Sequence, residues 1–430
     1  MFHLLYIFFR ALIIFYCITV IFADNLFFGG DGYNAFYIEN KLYFIGSYSQ
    51  YQFYIDLKDL SLENGTIYNN TPRISVASPN YVVSSNPFIG GNSNKKLFFI
   101  DKSAYGLYVD TFNTELNKWE TNNSYKGLPN VDLSWNQAWV TNETTGISYS
   151  FQEYLSTGVV IFDTINFVWI NSTSNPQNLF SKDIFSINGC IPVLLSSGQI
   201  LYIGGKLYSF NQTLMNRILT YDSIKDSWQI NNTTGKTPEE RTGHTAVLST
   251  YVLDEHKIFN GRVIVYGGEN NLSKSAIPYL TILDTSKTPF MWSTPIEENS
   301  IGSLNSHTSV MVKNYMITAF GTNSSEKGLN QNVKNIYKLD TSNLSNYKWS
   351  LLFNYEVKQS IPISNNNYSQ TSPITPIQTN STSDKDNASF NNFVSTRLST
   401  RWIIAILVIV IALICLLIFL IYKFRQNKKI

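Results

Sequence analysis

Short runs of β-branched and aromatic residues recur over most of the chain, broken by clusters of Gly, Asn, Asp, Ser and Thr. That alternation predicts strands joined by tight turns. One run is followed by Asp, then Thr or Ser, then a Trp a short distance on. It occurs five times: LYVDTFNTELNKW (Asp110, Trp119), VIFDTINFVW (Asp163, Trp169), LTYDSIKDSW (Asp222, Trp228), LTILDTSKTPFMW (Asp284, Trp292) and IYKLDTSNLSNYKW (Asp340, Trp349). A sixth copy, FYIDL at Asp56, lacks the Trp. Upstream of each Asp lies a second apolar run: KLYFIGS, KLFFIDK, GISYSF, QILYIGG, RVIVYGG and YMITAFG. Before these comes another, as in FYI, CIPVLL, TGHTAVL and NSHTSVMV. With the short segment that carries the Trp, each copy supplies four strands.

The Asp residues are spaced by roughly 53 to 62 positions, a period of propeller blades rather than of helical solenoids. Gly204, Gly205, Gly267 and Gly268 let the chain leave the second strand where a side chain would meet the neighbouring blade. The repeat Asp accepts backbone N–H groups in the turn between third and fourth strands. The Trp fills the gap between twisted sheets. A single unit is too small to fold alone, so stacking around an axis completes the core. Apolar run, Gly-Gly, spacer, Asp and downstream Trp together resemble the kelch motif, over approximately residues 30–355, with the full Gly-Gly kept in two copies. The resemblance implies an all-β fold, a kelch-type β-propeller with six countable blades; a seventh requires that one long repeat be miscounted. Kelch rings often close by pairing strands from both chain ends, which would bring the segment after Asp24 beside the last blade.

The two ends change the picture from a soluble propeller to an anchored one. Residues 1–23 are almost wholly apolar, with Arg10 inside and small Ala23 before Asp24, the pattern of a secretory signal peptide; an uncleaved anchor is the alternative. Residues 401–422 contain WIIAILVIVIALICLLIFLIY, an uncharged run of transmembrane length, so a C-terminal helix is expected to cross a lipid bilayer. Lys423, Arg425, Lys428 and Lys429 follow it, which puts the basic tail, 423–430, in the cytosol and gives a single-pass type I protein. The same tail argues against a glycolipid anchor. Between Glu356 and the span, residues 357–400 are rich in Ser, Thr, Asn and Pro: an extended, O-glycosylated stalk or a plain disordered linker. The ectodomain is therefore 24–356, outside the cell or in a lumen, with the cell surface favoured over the ER.

Cys17 and Cys415 fall in the two apolar end segments, which leaves Cys190 alone outside and no intramolecular disulfide in the ectodomain. The formal net charge is +2, and no basic stripe precedes the tail, so nucleic acid is not an expected partner. N-x-S/T sequons mark a glycoprotein exterior, with Asn64, Asn122, Asn142, Asn171, Asn211, Asn271, Asn323 and Asn343 as candidates, alongside Asn69, Asn231, Asn232, Asn367, Asn380 and Asn387.

Catalytic chemistry finds little footing. No GxSxG, HExxH or GxxxxGK[ST] pattern occurs. Galactose oxidase and its relatives build a copper site on a kelch-type propeller, and the resemblance makes a copper oxidase the enzyme alternative. It would need two His, two Tyr and a Cys joined to one Tyr, whereas the ectodomain offers His244, His256, His307 and Cys190. His244 and His307 hold the same place in consecutive repeats, which suggests structural histidines that bond a neighbouring blade, with a metal pair as the other reading. No cofactor and no catalytic residue is assigned. Loops between second and third strands emerge on one propeller face and carry Tyr48, Tyr51, Tyr105, Tyr154 and Tyr208. Tyr51, Tyr105 and Tyr279 lie five residues before a repeat Asp and read as strand-start packing, leaving Tyr48, Tyr154 and Tyr208 as candidates to bind a glycan or protein ligand. A binding or adhesion module is thus the leading expectation, with a propeller scaffold in secretory-pathway membranes as a further alternative.

Overall fold

The computed structural model describes residues 33–46, 52–57, 73–74, 86–103, 106–129, 138–151, 154–181, 184, 186–207, 215–254, 257–324, 330–333 and 335–354. All belong to the first of two compact units into which the chain divides, Met1–Ile361. They are strands and turns, with one short 3-10 turn at Gln177–Leu179. No helix among them is long and apolar enough to cross a membrane; the signal segment, the stalk, the apolar run 402–422 and the basic tail lie outside the described residues.

The strands follow each other up and down in sequence. Strands β1 (Tyr33–Ile38), β2 (Lys41–Gly46), β3 (Gln52–Asp56) and β4 (Arg73–Ile74) make the first antiparallel sheet. The second holds β5 (Phe88–Gly90), β6 (Lys96–Ser103), β7 (Gly106–Asn113) and β8 (Lys118–Glu120), and the third β9 (Trp139–Asn142), β10 (Ile147–Phe151), β11 (Val159–Asp163) and β12 (Val168–Asn171). Next come β13 (Ile187–Leu194), β14 (Gln199–Leu207), β15 (Arg217–Asp222) and β16 (Ser227–Gly235), then β17 (Thr245–Asp254), β18 (Lys257–Tyr266), β19 (Leu280–Asp284) and β20 (Phe290–Ser293). These two units fuse into one eight-stranded sheet because β16 and β20 pair in parallel. The last region contains β21 (Ile296–Glu298), β22 (Leu304–Asn305), β23 (Thr308–Val312), β24 (Tyr315–Ala319), β25 (Thr322–Ser324), β26 (Asn330–Asn332), β27 (Asn335–Asp340) and β28 (Asn346–Asn354). Here β23, β24, β27 and β28 form the sheet, β21 adds in parallel to β28, and β22, β25 and β26 form a small sheet of their own.

The first strands of successive units lie side by side: β5 by β9, β9 by β13, β13 by β17, β17 by β23 and β23 by β1. Second strands are sandwiched between neighbouring sheets, which is why they are continuously apolar: Leu42 to Ile45 and Val263 to Tyr266 are all buried. The core is divided accordingly. Ile38, Tyr43 and Ile45 pack on Leu97, Phe99 and Phe112 between the first and second units. Phe88, Phe98 and Val109 meet Val160, Phe162 and Trp169 between the second and third. Equivalent clusters lie at the next three junctions, with Trp228, Trp292 and Trp349 each turned toward the preceding unit. A further cluster joins the last unit to the first, through Leu42, Phe44 and Ile55 against Ile317, Phe320 and Phe353.

The segment after Asp24 expected beside the last unit lies outside the described residues, which begin at Tyr33. Among the described residues neither the first nor the last sheet contains a strand from the other chain end. The strand flanking β28 is β21, from the segment that leaves the preceding unit. Among the described residues each sheet is built from contiguous chain, and side chains of the first and last units meet across the seam. Phe320 stands one residue before Gly321, where the two preceding units have Gly204-Gly205 and Gly267-Gly268. It keeps a positive φ of 63°, and its ring packs on Tyr33, Phe44 and Phe53 at centroid distances of 4.6, 5.3 and 6.0 Å. The Thr308 hydroxyl accepts the Ala35 N–H across the same seam at 2.9 Å.

Candidate functional site: the connection face

Turns between first and second strands and between third and fourth strands share one face, because they bond to each other. Thr164, after the repeat Asp163, donates both its N–H and its hydroxyl to the Gly146 carbonyl, at 3.0 and 2.6 Å. The same pair of bonds runs from Thr114 to Lys95, Ser223 to Gly198, Thr285 to Gly261 and Thr341 to Asn314. In the first unit Leu57 has no hydroxyl and gives only its N–H, to Asn40. The Thr or Ser after Asp is thus a clamp tying two turns of one sheet, a role that adjacency in sequence does not reveal.

The Asp itself closes the second of those turns. Asp163 accepts the N–H groups of Ile165 and Asn166, Asp222 those of Ile224 and Lys225, Asp284 that of Ser286 and Asp340 that of Ser342. Asp110 does not sit there. It is buried within β7, where it accepts the Asn122 N–H, and Asn113 holds the turn by accepting the N–H groups of Glu115 and Leu116. Asn113 lies six residues before Trp119, the spacing of Asp163 to Trp169 and Asp222 to Trp228; that spacing is the signal that identifies it. With the register moved, Tyr105 is no longer five residues before a turn residue.

His244, His307 and Cys190 hold one repeat position. Gly268 packs against the backbone of His244, Gly321 against that of His307 and Gly205 against that of Cys190, each within its own unit. The preceding unit's glycine faces the imidazole: a Cβ on Gly204 or Gly267 would collide with Cε1 of His244 or His307. The His307 Nε2 bonds the Thr245 hydroxyl of the neighbouring unit at 2.9 Å, and Thr245 donates to Ser309. Burial pushes both imidazoles down to about 3, with the Arg241 guanidinium adding to the effect at His244. These donors do not fit a copper site: they repeat around the ring at successive junctions instead of converging on a point, one imidazole is bonded to a hydroxyl, and the other lies beside a guanidinium. Among the described residues no group of three His, Cys, Asp or Glu side chains is placed to hold a metal ion.

The opposite face carries the connections from second to third strands and from one unit to the next. Tyr154 stands there, 52% exposed, in a bridge to Ser186 at the entrance to β13. From Ser186 the surface continues to Asn188, paired with exposed Lys206, whose charge acts on Glu240. Burial holds the Glu240 carboxyl above the usual carboxylate range, with Lys206 opposing. Glu240 accepts from the Asn271 amide, and Glu239 accepts from Asn270 and from the Ile277 N–H. Beneath these, Arg241 is 1% exposed, with its guanidinium donating to the carbonyls of Glu239, Gly267 and Pro278. Burial lowers it to about 10, still a full cation at neutral pH. A buried cation satisfied by backbone carbonyls is a fixed foundation for the polar arc above it.

Of the tyrosines singled out from sequence, Tyr154 is on this arc, while Tyr48 and Tyr208 lie outside the described residues, as do Tyr51 and Tyr105. Tyr279 packs against the core between the last two units. Among the sequons, Asn122, Asn171 and Asn343 are exposed, and Asn142, Asn271 and Asn323 half-buried; Asn64 and Asn211 lie outside the described residues. The sequence marks Asn271 only as a sequon; Lys206 and Glu240 become its neighbours through the fold, which brings together the fourth unit, the connection after it and the fifth.

No family model matches this chain, and no curated protein matches it. Among solved structures, the one titled "Structure of YjhT" is similar: TM-score 0.51 at 12% identity, covering 75% of this chain and 97% of that one. At that identity the likeness speaks for architecture alone. The sheets, their junction clusters and this likeness agree that the described region is all-β and folds as a β-propeller.

Proposed function

We propose that this protein is a membrane-anchored recognition module: a six-bladed, kelch-type propeller exported by residues 1–23, anchored by the apolar run at 402–422 and displayed on the 357–400 stalk. Its ligand is a glycan or a protein carried outside the cell, and the binding surface is the connection face. The observation that carries this reading is Tyr154, a large half-exposed ring at one end of a polar arc through Lys206, Glu240 and Asn271. An aromatic face beside fixed donors and acceptors suits a sugar ring or an amphipathic protein anchor. Tyr48 and Tyr208, which lie outside the described residues, belong by sequence to equivalent connections and are the further candidates in this reading.

The test is binding of the secreted ectodomain, 24–356, to immobilised glycans and wall polysaccharides, with peroxide release measured in the same wells. Saturable binding without peroxide supports the recognition module. Peroxide released on a particular sugar would replace it with oxidase chemistry.

A further inference from the structure

The sequons divide by geometry. Asn142 opens the turn after β9, and its side-chain oxygen accepts the N–H of Thr144 and of Thr145, at 3.1 and 3.2 Å. Asn343, in the turn before β28, does the same for Ser345 at 3.0 Å. In both, the residue that bears the sequon hydroxyl folds back on the Asn oxygen, a local turn that needs no tertiary partner and leaves the amide nitrogen directed away from that bond. Both lie on the turn face. Asn122 and Asn171 are exposed and follow or end the outer strands β8 and β12.

Asn271 is different in each respect. Its amide nitrogen is the donor to Glu240. The N–H of Ser273, the sequon hydroxyl residue, goes to the Asn270 carbonyl instead, and Ser273 has a φ of 54°. A glycan on the Asn271 nitrogen would sit beside the Glu240 carboxylate and lie across the polar arc. Asn231 is likewise engaged, its amide donating to the Thr220 hydroxyl at 2.9 Å.

We propose that N-linked glycans occupy Asn142 and Asn343 on the turn face and Asn122 and Asn171 at the outer edge, while Asn271 stays bare, so that the sugar coat orients the propeller with its connection face open to ligand. The inference rests on the exported, outward-facing reading above. In the modification the amide nitrogen bonds to the anomeric carbon of a polyprenyl-diphosphate-linked oligosaccharide; the bond from that carbon to the diphosphate breaks, the lipid diphosphate leaves, and the amide loses one proton. The transfer acts on the chain before it folds, so a folded-state contact selects by consequence. The sugar leaves one N–H on the Asn271 amide but brings its bulk against the partly buried Glu240 carboxylate, so a chain modified there crowds that contact and folds less well, whereas chains modified at Asn142 or Asn343 keep every contact described for those sites.

The experiment is site-by-site occupancy of the full-length protein purified from membranes of a eukaryotic host, read by mass spectrometry after enzymatic deglycosylation in heavy-oxygen water. Label in most copies at Asn142 and Asn343, with about tenfold lower label at Asn271, supports the proposal. In agreement, Asn142→Gln and Asn343→Gln would each remove one glycan from the intact mass and Asn271→Gln none. Label in most copies at Asn271 overturns it and leaves the exported reading standing. Absence of label at every sequon overturns both.

Discussion

Asp226 shows how much one carboxylate can hold between units. Its Oδ1 accepts the hydroxyls of Ser172, Ser174 and Tyr221 at 2.5, 2.8 and 2.9 Å, and its Oδ2 the Thr173 N–H at 3.1 Å. Burial alone would raise this acid, but the bonds outweigh it and hold it at about 2. A folded-state value below the unfolded value of about 3.9 means stability present above that pH and lost as pH falls toward 2. Asp226→Asn should cost about 1–3 kcal/mol at neutral pH, read by urea denaturation, because acceptors of several hydrogen bonds are replaced by a group that also donates. The histidines act over a different window. Neutral and buried in the folded state, His244 and His307 gain protons on unfolding below about 6.5, so stability falls as pH drops from there toward 3. His307→Asn should flatten the pH dependence of the melting temperature between pH 6.5 and 4, and an unchanged slope would contradict the burial argument. At the ring seam, Phe320→Ala should cost about 3–5 kcal/mol, since it empties the space bounded by Tyr33, Phe44 and Phe53.

Elements are joined by devices that the sequence displays unequally. Strands and their order are legible because second strands, buried on both sides, read as unbroken apolar runs, and the Gly-Gly pairs mark where pairing with the third strand stops, within β14 and directly after β18. The second unit's turn was not legible from its motif, because Asp110-Thr111 imitates the pattern three residues upstream of Asn113-Thr114, and a strand interior and a turn look alike at that resolution of sequence. The parallel hand-over between outer strands was invisible too: β16 on β20 and Lys126 on Val168 are pairings between units, and their only local mark is a glycine. A Cβ on Gly235 would meet the Trp292 carbonyl, and its φ is 79°. The hydroxyl clamp makes a direct prediction: Thr164→Val keeps shape but loses the bond to Gly146, and should cost about 1–2 kcal/mol in thermal or denaturant unfolding. Leu57→Thr, in the one unit without a hydroxyl there, is the reciprocal test, although burial of Leu57 in the closing cluster sets a packing loss against the gained bond.

Across the whole molecule, the turn clamps and the polar arc proposed for recognition lie on different faces. The turn face is fixed by bonds internal to each sheet, and its apolar residues Ile165 and Ile224 lie over Gly146 and Gly198. The connection face instead gathers groups from separate units over the buried Arg241, which is why a candidate site there emerges from the fold and not from any stretch of chain. Of the three tyrosines chosen from sequence, Tyr154 is 52% exposed and the other two lie outside the described residues; the charged and amide groups beside Tyr154 become neighbours only when the ring forms. The most direct measurement is ligand binding by the ectodomain with Tyr154→Ala and Lys206→Ala on the connection face, set against Ile224→Ser on the turn face. The account predicts that the first two weaken binding by about tenfold or more with melting temperature unchanged, and that the third leaves binding intact. Binding lost with Ile224→Ser and kept with Tyr154→Ala and Lys206→Ala would put recognition on the wrong face and contradict it.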